Sequence, residues 1–498
     1  PRVRRQRQMC IRDSVKALIF IMAETLTKTV VKGTFWSALN RFGVMGLQFI
    51  TYVILAHILS PSDFGAIGML SIFIVLSQTF VDGGFNSALI QKKDPTEVDF
   101  STIVFWSMGL GAFLCGLLYL TAPLVAEFYD MPILCSVLRV MGISIIFQGA
   151  ACIQNAKLQK AMKFKSLSII DLSSNLLASI VAVVSAYRGA GVWALVLLMM
   201  TQSISKFFLL LIVTRWLPKL CFSFSSFKQL FSFGVFIFMG NIMETISNNI
   251  QGLVIGKKFS AAQTGYYTQA NKMENIVGQS IPQIISTVMY PLFSKLQNER
   301  DKLRNLIVTD IRIISFAVYP LLSILIIFAP DIIMLLFGCK WLQSAPYYRI
   351  LCVGAFFFSI NNINFYAVAS KGKSKILFYG SIYRFAMMCI LIAIGVNFGM
   401  IGLMWSLAIN MANIFFTNAV LCQHYVGTRI IDELKAMAPA VLLSAAASAI
   451  TLIAYHSLSL LWGFGVLIFI ITYISFAAIF KVRVLKETKI ILMKLTNK

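Results

Sequence analysis

Long, continuous apolar runs recur along the whole of this chain. Each approaches the roughly 20 residues that a helix needs to cross a hydrocarbon core about 30 Å thick. Backbone N–H and C=O groups find no water in that core, so a spanning segment must be a helix or part of a closed barrel. The runs do not alternate polar and apolar residues, which excludes a barrel. The chain is therefore predicted to be an all-α polytopic membrane protein.

Composition supports this fold class and limits the partners. Of the 498 residues 58% are hydrophobic and only 12% are charged, whereas a soluble domain is about 45–50% apolar and about 25% charged. The net charge of +24 fits the Lys and Arg that membrane proteins keep in cytoplasmic loops. We therefore expect membrane lipid, and no nucleic acid, beside the basic segments. The nine Cys include no CxxC pair, so we expect no disulfide, metal or cofactor.

Fourteen transmembrane spans are predicted, joined by short connections without an inserted soluble domain. They cover residues 33–58, 64–90, 101–122, 134–153, 167–187, 192–214, 231–255, 270–293, 309–329, 346–369, 376–397, 399–422, 437–456 and 459–480. Eighteen Lys and Arg lie in the loops after even-numbered spans, whereas the loops after odd-numbered spans carry four, namely Arg188, Lys257, Lys258 and Lys340. This bias predicts an inner-membrane protein with both termini in the cytoplasm.

The span order predicts a division into two lobes and a terminal helix pair. We expect residues 1–21 to be a non-native leader, because Met9–Asp13 resembles a translated sequencing adaptor and the residues before it are basic and patternless. The alternative is a basic amphipathic anchor. The remaining predicted parts are the N-lobe of spans one to six (22–214), the C-lobe of spans seven to twelve (215–422), spans thirteen and fourteen (423–480) and a basic cytoplasmic tail (481–498).

A faint internal repeat supports two parallel halves. The turn after span one contains Ser60 and Gly65, and the turn after span seven, 200 residues later, contains Ser260 and Gly265. Six spans separate the two turns, so both have the same orientation in the membrane.

Several short motifs resemble one family of transporters. They are Leu59-Ser-Pro-Ser-Asp-Phe-Gly65, Asp82-Gly-Gly-Phe-Asn-Ser-Ala-Leu-Ile-Gln-Lys-Lys93, Gly265-Tyr-Tyr267 and Phe337-Gly-Cys-Lys-Trp341. In this order and spacing they resemble the polysaccharide transporter family, which includes the Wzx-type oligosaccharide flippases of the multidrug/oligosaccharidyl-lipid/polysaccharide exporter superfamily. The resemblance implies two six-helix lobes around a central cavity that opens alternately to each side.

The resemblance also implies a function in transport rather than catalysis. The expected substrate is undecaprenyl diphosphate carrying an oligosaccharide unit, moved from the cytoplasmic to the periplasmic leaflet for capsule, O-antigen or exopolysaccharide assembly. The expected further partners are H⁺ or Na⁺, a polysaccharide polymerase and a chain-length regulator. The chain departs from the family's usual basic character where Asp94, Glu97 and Asp99 follow the second motif.

Cationic side chains within predicted spans are the candidates for binding a diphosphate headgroup. A charged side chain at the bilayer centre costs roughly 2.5–3.5 kcal/mol even on lenient scales, so it is seldom present without a partner or a cavity. Arg presents a planar fork to phosphate oxygens and Lys a point charge. The candidates are Arg41, Lys206, Lys272 and Arg384. The alternative for each is a structural ion pair or snorkelling to the interface.

Acids and amides within the spans are the other candidates. Glu244 and Asp82 could couple transport to H⁺ or Na⁺, because a buried carboxylate can exchange a proton. The alternatives are an ion pair of Glu244 with Arg41 or Arg384, and a structural role for Asp82 at a helix end. Asp171 is expected near the cytoplasmic surface. Asn361 and Asn362 could bind sugar hydroxyls, or hold helices together.

Two other functions compete with a flippase. A cation-coupled multidrug exporter of the same superfamily would place acids rather than Arg and Lys at mid-membrane, because its substrates are cationic. A membrane glycosyltransferase or polymerase would need clustered acids for Mg²⁺ in a cytoplasmic loop or a large periplasmic loop, and neither is present in the sequence. No GxxxxGK[ST] nucleotide-binding loop is present either.

Overall fold

The computed structural model describes residues 36–92, 94–372, 374–458 and 462–480. The predicted leader and the predicted basic tail lie outside the described residues. The described chain is helical from end to end, which confirms the all-α prediction. The helices are α1 (Trp36–Ile58), α2 (Pro61–Asp82), α3 (Phe85–Gln91), α4 (Glu97–Phe128), α5 (Ile133–Lys160), α6 (Phe164–Tyr187), α7 (Val192–Thr214), α8 (Phe224–Lys258), α9 (Ala261–Asn275), α10 (Ile281–Lys295), α11 (Arg300–Ile327), α12 (Ala329–Phe337), α13 (Ala345–Ser370), α14 (Ser374–Val396), α15 (Gly399–Tyr425), α16 (Ile430–Leu458) and α17 (Trp462–Ile479).

The described residues of the fourteen predicted spans fall on these helices, with spans one and fourteen beginning at residues 33–35 and 459–461, which lie outside the described ranges. A π-helical turn, Ile276–Ser280, joins α9 to α10, and a 3₁₀ helix, Cys339–Ser344, precedes α13. Within the described residues, twelve helical segments are long and apolar enough to cross a membrane. The segments that hold predicted spans seven and eight are not among the twelve. For span eight the cause is the π turn, which leaves α9 and α10 with only 15 residues each.

The chain divides into two compact units. The first contains the residues up to Ile58 together with Phe73–Met239, and the second contains Leu59–Ile72 together with the residues from Gly240 onward. In the first unit α5 packs against α4 and α7, and α6 packs against α7. In the second unit α13 is central and contacts α9, α10, α11 and α15, while α16 packs against α11 and α17.

The two turns of the internal repeat have equivalent roles within the second unit. The hydroxyl of Ser60 accepts a hydrogen bond from the Asp63 N–H at 3.3 Å, and the hydroxyl of Ser260 accepts one from the Gln263 N–H at 3.2 Å. Each serine therefore caps the helix that follows it, which leaves fewer N–H groups unpaired at the helix start.

The glycines of the repeat make a reciprocal close contact in the same unit. A Cβ on Gly65 would lie 1.7 Å from the carbonyl oxygen of Ala261, and a Cβ on Gly265 would lie 1.9 Å from that of Pro61. The starts of α2 and α9 thus cross backbone to backbone, with residue 61 facing residue 265 and residue 65 facing residue 261. Only glycine allows this approach, which explains why both copies of the turn contain one.

The motif before α13 packs on this crossing. Trp341 is fully buried, and its ring lies 5.1 Å from that of Phe64 in an edge-to-face arrangement. The Lys340 ammonium donates a 2.6 Å hydrogen bond to the Leu59 carbonyl. Three of the motifs behind the family resemblance therefore meet in one structural cluster of the second unit.

The remaining motif breaks a helix in the first unit. Gly83 and Gly84 have φ values of 51° and 73°. They form the turn between the end of α2 and the start of α3. A Cβ on Gly84 would lie 2.5 Å from the Gly234 carbonyl oxygen of α8, so this glycine also permits a close helix contact.

Candidate substrate site

A polar cavity of about 730 Å³ lies within the first unit, between α1, α5, α6 and α7. Arg41 of α1 and Lys206 of α7 both line it, together with the acid Asp171 of α6. The other polar side chains of its wall are Ser37, Asn40, Gln48, Asn155, Gln159, Ser168, Asn175 and Gln202. The structure thus brings two of the predicted cations together in one cavity that is otherwise rich in amides. Such a lining can meet both an anionic headgroup and sugar hydroxyls.

Hydrogen bonds between α1 and α6 form a ladder along this cavity. Asn40 donates to Asp171 at 2.9 Å, Gln48 donates to Asn175 at 3.1 Å, and Thr51 donates to Ser179 at 2.8 Å. The three α6 partners are four residues apart, so they share one face of the helix. This ladder fixes the face of α1 that presents Arg41 to the cavity.

Lys206 is engaged by an acid that the sequence analysis assigned to the membrane surface. Its ammonium lies 2.7 Å from a carboxylate oxygen of Asp171, and both side chains are partly buried. Lys206 is therefore balanced by a carboxylate, and the lining as a whole holds two cations and one acid. The spacing of Asp171, Asn175 and Ser179 was the sequence signal that could have placed Asp171 in the cavity.

Arg384 lies at the centre of a polar network in the second unit. Its guanidinium donates to the Asn418 side-chain oxygen at 2.6 Å and to the Ser381 hydroxyl at 2.7 Å. Asn418 in turn donates to the side-chain oxygen of the buried Asn361. Because a guanidinium has five N–H donors, this network positions Arg384 and leaves donors available for an anion.

No carboxylate among the described residues forms a close ion pair with Arg384. Glu244 of α8 interacts with it electrostatically, but the two groups do not form an ion pair within 4 Å. Glu244 is itself exposed, and Asn362, next to Asn361, is half-buried. The arrangement places Glu244, Arg384 and Asn361 within one part of the second unit.

The other two predicted site residues lie elsewhere. The Lys272 ammonium is 6.0 Å from the centre of the Phe64 ring, beside the motif cluster of the second unit. Asp82 accepts a 2.9 Å hydrogen bond from the Cys152 thiol where α2 ends in the first unit. That contact favours the structural alternative for Asp82, because it joins α2 to α5.

A second cavity, of about 1400 Å³, lies between α11, α16 and α17 in the second unit. Its walls are mostly apolar, and one end carries Arg304, Arg312, Asp432 and Lys435, of which Arg304 and Asp432 form an ion pair. Sequence analysis did not identify this cavity, because its residues are far apart in the chain.

Comparison with known proteins decides the family. A family model described as polysaccharide biosynthesis protein matches residues 54–346, which is more than half of the 498 residues. The chain belongs to this polysaccharide biosynthesis family. The match confirms the resemblance predicted from the motifs, all four of which lie within residues 54–346.

Curated relatives of this polysaccharide biosynthesis chain come from several bacteria. Identity is 26% over 357 residues to the teichuronic acid biosynthesis protein TuaB of Bacillus subtilis strain 168, covering 71% of this chain and 74% of the relative. Identity is 24% over 362 residues to the lipopolysaccharide biosynthesis protein WzxC of Escherichia coli strain K12, covering 72% and 74%. It is 26% over 362 residues to the succinoglycan biosynthesis transport protein ExoT of Rhizobium meliloti strain 1021, covering 72% of each.

Solved structures give the same fold. The inward closed conformation of the lipid II flippase MurJ matches with a TM-score of 0.74 at 18% identity, covering 90% of this chain and 98% of MurJ. An inward-facing multidrug resistance MATE family transporter of the MOP superfamily matches with a TM-score of 0.62 at 12% identity, covering 79% and 98%. At these identities the likeness concerns the fold alone.

Proposed function

We propose that this chain is a flippase for undecaprenyl-diphosphate-linked oligosaccharide units, which it moves from the cytoplasmic to the periplasmic leaflet by alternating access. The units serve capsule, O-antigen or exopolysaccharide assembly. The proposal is supported by membership of the polysaccharide biosynthesis family and by relatives named as polysaccharide and lipopolysaccharide biosynthesis or transport proteins. The observation that carries it is the polar cavity with Arg41 and Lys206 inside an apolar membrane protein.

The chemistry of the substrate explains why such a cavity is needed. A diphosphate headgroup and its sugars lose their hydration if they enter hydrocarbon, and unpaired charges and hydroxyls are costly there. A cationic group replaces the water around phosphate oxygens, and amides replace the water around hydroxyls. In this cavity Arg41 can contact the phosphate oxygens. The amides that can contact sugar hydroxyls are Gln48, Asn175 and Gln202.

The charge of the cavity argues against the rival function. A multidrug exporter for cationic compounds needs acids at its binding site. In the cavity of the first unit the single acid, Asp171, is already paired with Lys206. The two cations and one acid of its lining give that cavity a formal net charge of +1, which favours an anionic substrate.

Deletion of the gene tests this function. We expect the surface polysaccharide to be lost and its lipid-linked repeat unit to accumulate on the cytoplasmic face of the inner membrane, where enzymes added to intact spheroplasts cannot reach it. A plasmid copy of the gene should restore both properties. Loss of polysaccharide without accumulation of a lipid-linked unit would contradict a flippase and favour a glycosyltransferase. Altered drug sensitivity with normal polysaccharide would favour the exporter.

Two native cysteines test the proposed orientation, in which the even-numbered loops and both termini are cytoplasmic. Cys339 is exposed in the loop before α13, and Cys221 is half-buried in the loop before α8. With each as the single cysteine of the chain, a membrane-impermeant maleimide should label Cys339 in spheroplasts and Cys221 in inside-out vesicles. The reverse pattern would overturn the proposed orientation.

A further inference from the structure

A fully buried acid in the second unit has no hydrogen-bond partner among the described residues. Glu274 is 0% exposed, and neither of its carboxylate oxygens accepts a hydrogen bond from any described residue. Glu433, another acid with 0% exposure in this unit, accepts a 2.8 Å hydrogen bond from the Asn364 amide. Leaving a buried polar group without a partner is costly, and leaving a buried charge without one is more costly still. Packing alone therefore does not explain why an acid occupies position 274.

The chain makes room for this carboxyl group next to an irregular turn. Glu274 is the penultimate residue of α9, and the π turn Ile276–Ser280 follows it. A Cβ on Gly278 would lie 2.1 Å from Oε1 of Glu274 and 2.9 Å from the Cβ of Ala355. The carboxyl group thus fills the space that a side chain on Gly278 would occupy, against α13. Single π turns within α-helices occur frequently at functional sites.

The described groups that interact with Glu274 carry no compensating charge. Tyr267 on its own helix and Tyr348 and Cys352 on α13 are near enough to interact with it electrostatically. These three groups are neutral in their ordinary protonation states and are themselves buried. Helix α11, which also contacts the π turn, supplies no ion pair to Glu274 from its described residues. Among the described residues, neither a hydrogen-bond donor nor a cation is thus available to an ionised carboxylate at this position.

We propose that Glu274 is the proton-binding group that couples flipping to a proton gradient, an assignment that rests on the proposed flippase function. In the conformation described here Glu274 is the neutral acid and holds the π turn closed. Opening of the π turn admits water, the carboxyl group releases its proton, and the ionised group then disfavours closure. Proton binding and closure are therefore linked, so that a proton supplied from one side of the membrane drives the conformational change.

The first test measures flipping by the full chain in proteoliposomes, with the lipid-linked unit that accumulates in the deletion strain as the probe. For the wild type we expect an imposed pH gradient to change the initial rate by on the order of tenfold. Glu274→Gln, which resembles the neutral acid at every pH, should make the rate independent of the gradient. Glu433→Gln is the matched control, because it removes an equally buried acid of the same unit, and its gradient response should remain.

Cys352 provides a second test that does not need the substrate. It is 0% exposed and close to Glu274, so a small membrane-permeant methanethiosulfonate reaches it only when the site opens. The experiment uses chains in which Cys352 is the single cysteine. The labelling rate of the chain with Glu274 is divided by that of the Glu274→Gln chain, so that the pH dependence of thiol ionisation, which both chains share, cancels from the ratio. This ratio should rise with pH by on the order of tenfold. Glu433→Gln should give the same pH dependence as the wild type.

The outcomes separate this assignment from the proposed function. A wild-type chain that flips the lipid-linked unit with a gradient response that Glu274→Gln retains would overturn the role of Glu274 alone. A labelling ratio that stays constant with pH would also overturn it, whatever the transport result. A wild-type chain that moves no lipid would contradict the flippase, and with it the coupling role.

Discussion

Replacing Arg384 by alanine is expected to abolish polysaccharide export while the protein remains in the membrane at its normal level. The network that holds Arg384, through Asn418 and Ser381, leaves guanidinium donors free to meet an anion. Hydrogen bonds that involve a charged group contribute about 1.5–3 kcal/mol each, and about 1.4 kcal/mol corresponds to a factor of ten. The loss of two such bonds to the diphosphate would reduce the flipping rate by roughly 100-fold or more. Polymer at the cell surface and protein in the membrane are measured in the same cells.

Two further variants give this result a specific meaning. Arg384→Lys keeps the charge without the planar fork, so export should be reduced but detectable. Arg429→Gln removes an exposed arginine of the same unit outside the network and should leave export unchanged. Normal export by Arg384→Ala would remove this residue from the substrate site, and a parallel fall in protein level would assign it a structural role instead.

Alanine at Gly65 or Gly265 is expected to prevent stable folding. The added Cβ would lie 1.7 Å or 1.9 Å from a backbone carbonyl oxygen of the facing helix, and no rotamer change can relieve a clash between backbones. Destabilisation above about 4 kcal/mol is exceptional for one substitution, and this crossing is a site where we expect it. The amount of each variant in the membrane should fall at least about tenfold.

Glycines in open surroundings are the matched controls. Gly109 and Gly116 lie in α4, and a Cβ on either would have no heavy atom within 4 Å. Gly109→Ala and Gly116→Ala should therefore accumulate to the wild-type level, since alanine is a better helix former than glycine. Normal accumulation of both Gly65→Ala and Gly265→Ala would mean that the close crossing is not required for the fold.

Features that repeat along the chain were predictable from the sequence. The apolar runs predicted the helices that carry the membrane spans, twelve of which are long and apolar enough to cross a membrane within the described residues, because helix length follows from bilayer thickness. The matched serines and glycines located the turns after α1 and α8, because capping and close approach each demand particular residue types. We chose Arg41, Lys206 and Arg384 as candidates because cations within apolar spans require a partner or a cavity.

Features that depend on tertiary contacts were not predictable. Asp171 was predicted near the cytoplasmic surface, and its ion pair with Lys206 in the cavity was not foreseen, because that pairing depends on how α6 and α7 pack. Asn418, the partner of Arg384, is one of several amides in α15 and carries no distinguishing pattern. Glu274 lies near the start of a predicted span, and only the packing of the π turn against α13 reveals that no described residue gives its carboxyl group a hydrogen bond.

Translocation by the purified full chain in proteoliposomes tests the central claim most directly. The claim is that cations in polar surroundings receive the diphosphate headgroup, and the probe is the lipid-linked unit from the deletion strain. Wild type and Arg188→Gln, which removes an exposed arginine of the first unit, should translocate the unit at equal rates. Arg41→Gln should be slower by at least about tenfold, the loss of one charged hydrogen bond, and Arg384→Ala by roughly 100-fold or more, the loss of two. Equal rates for all four proteins would contradict the account.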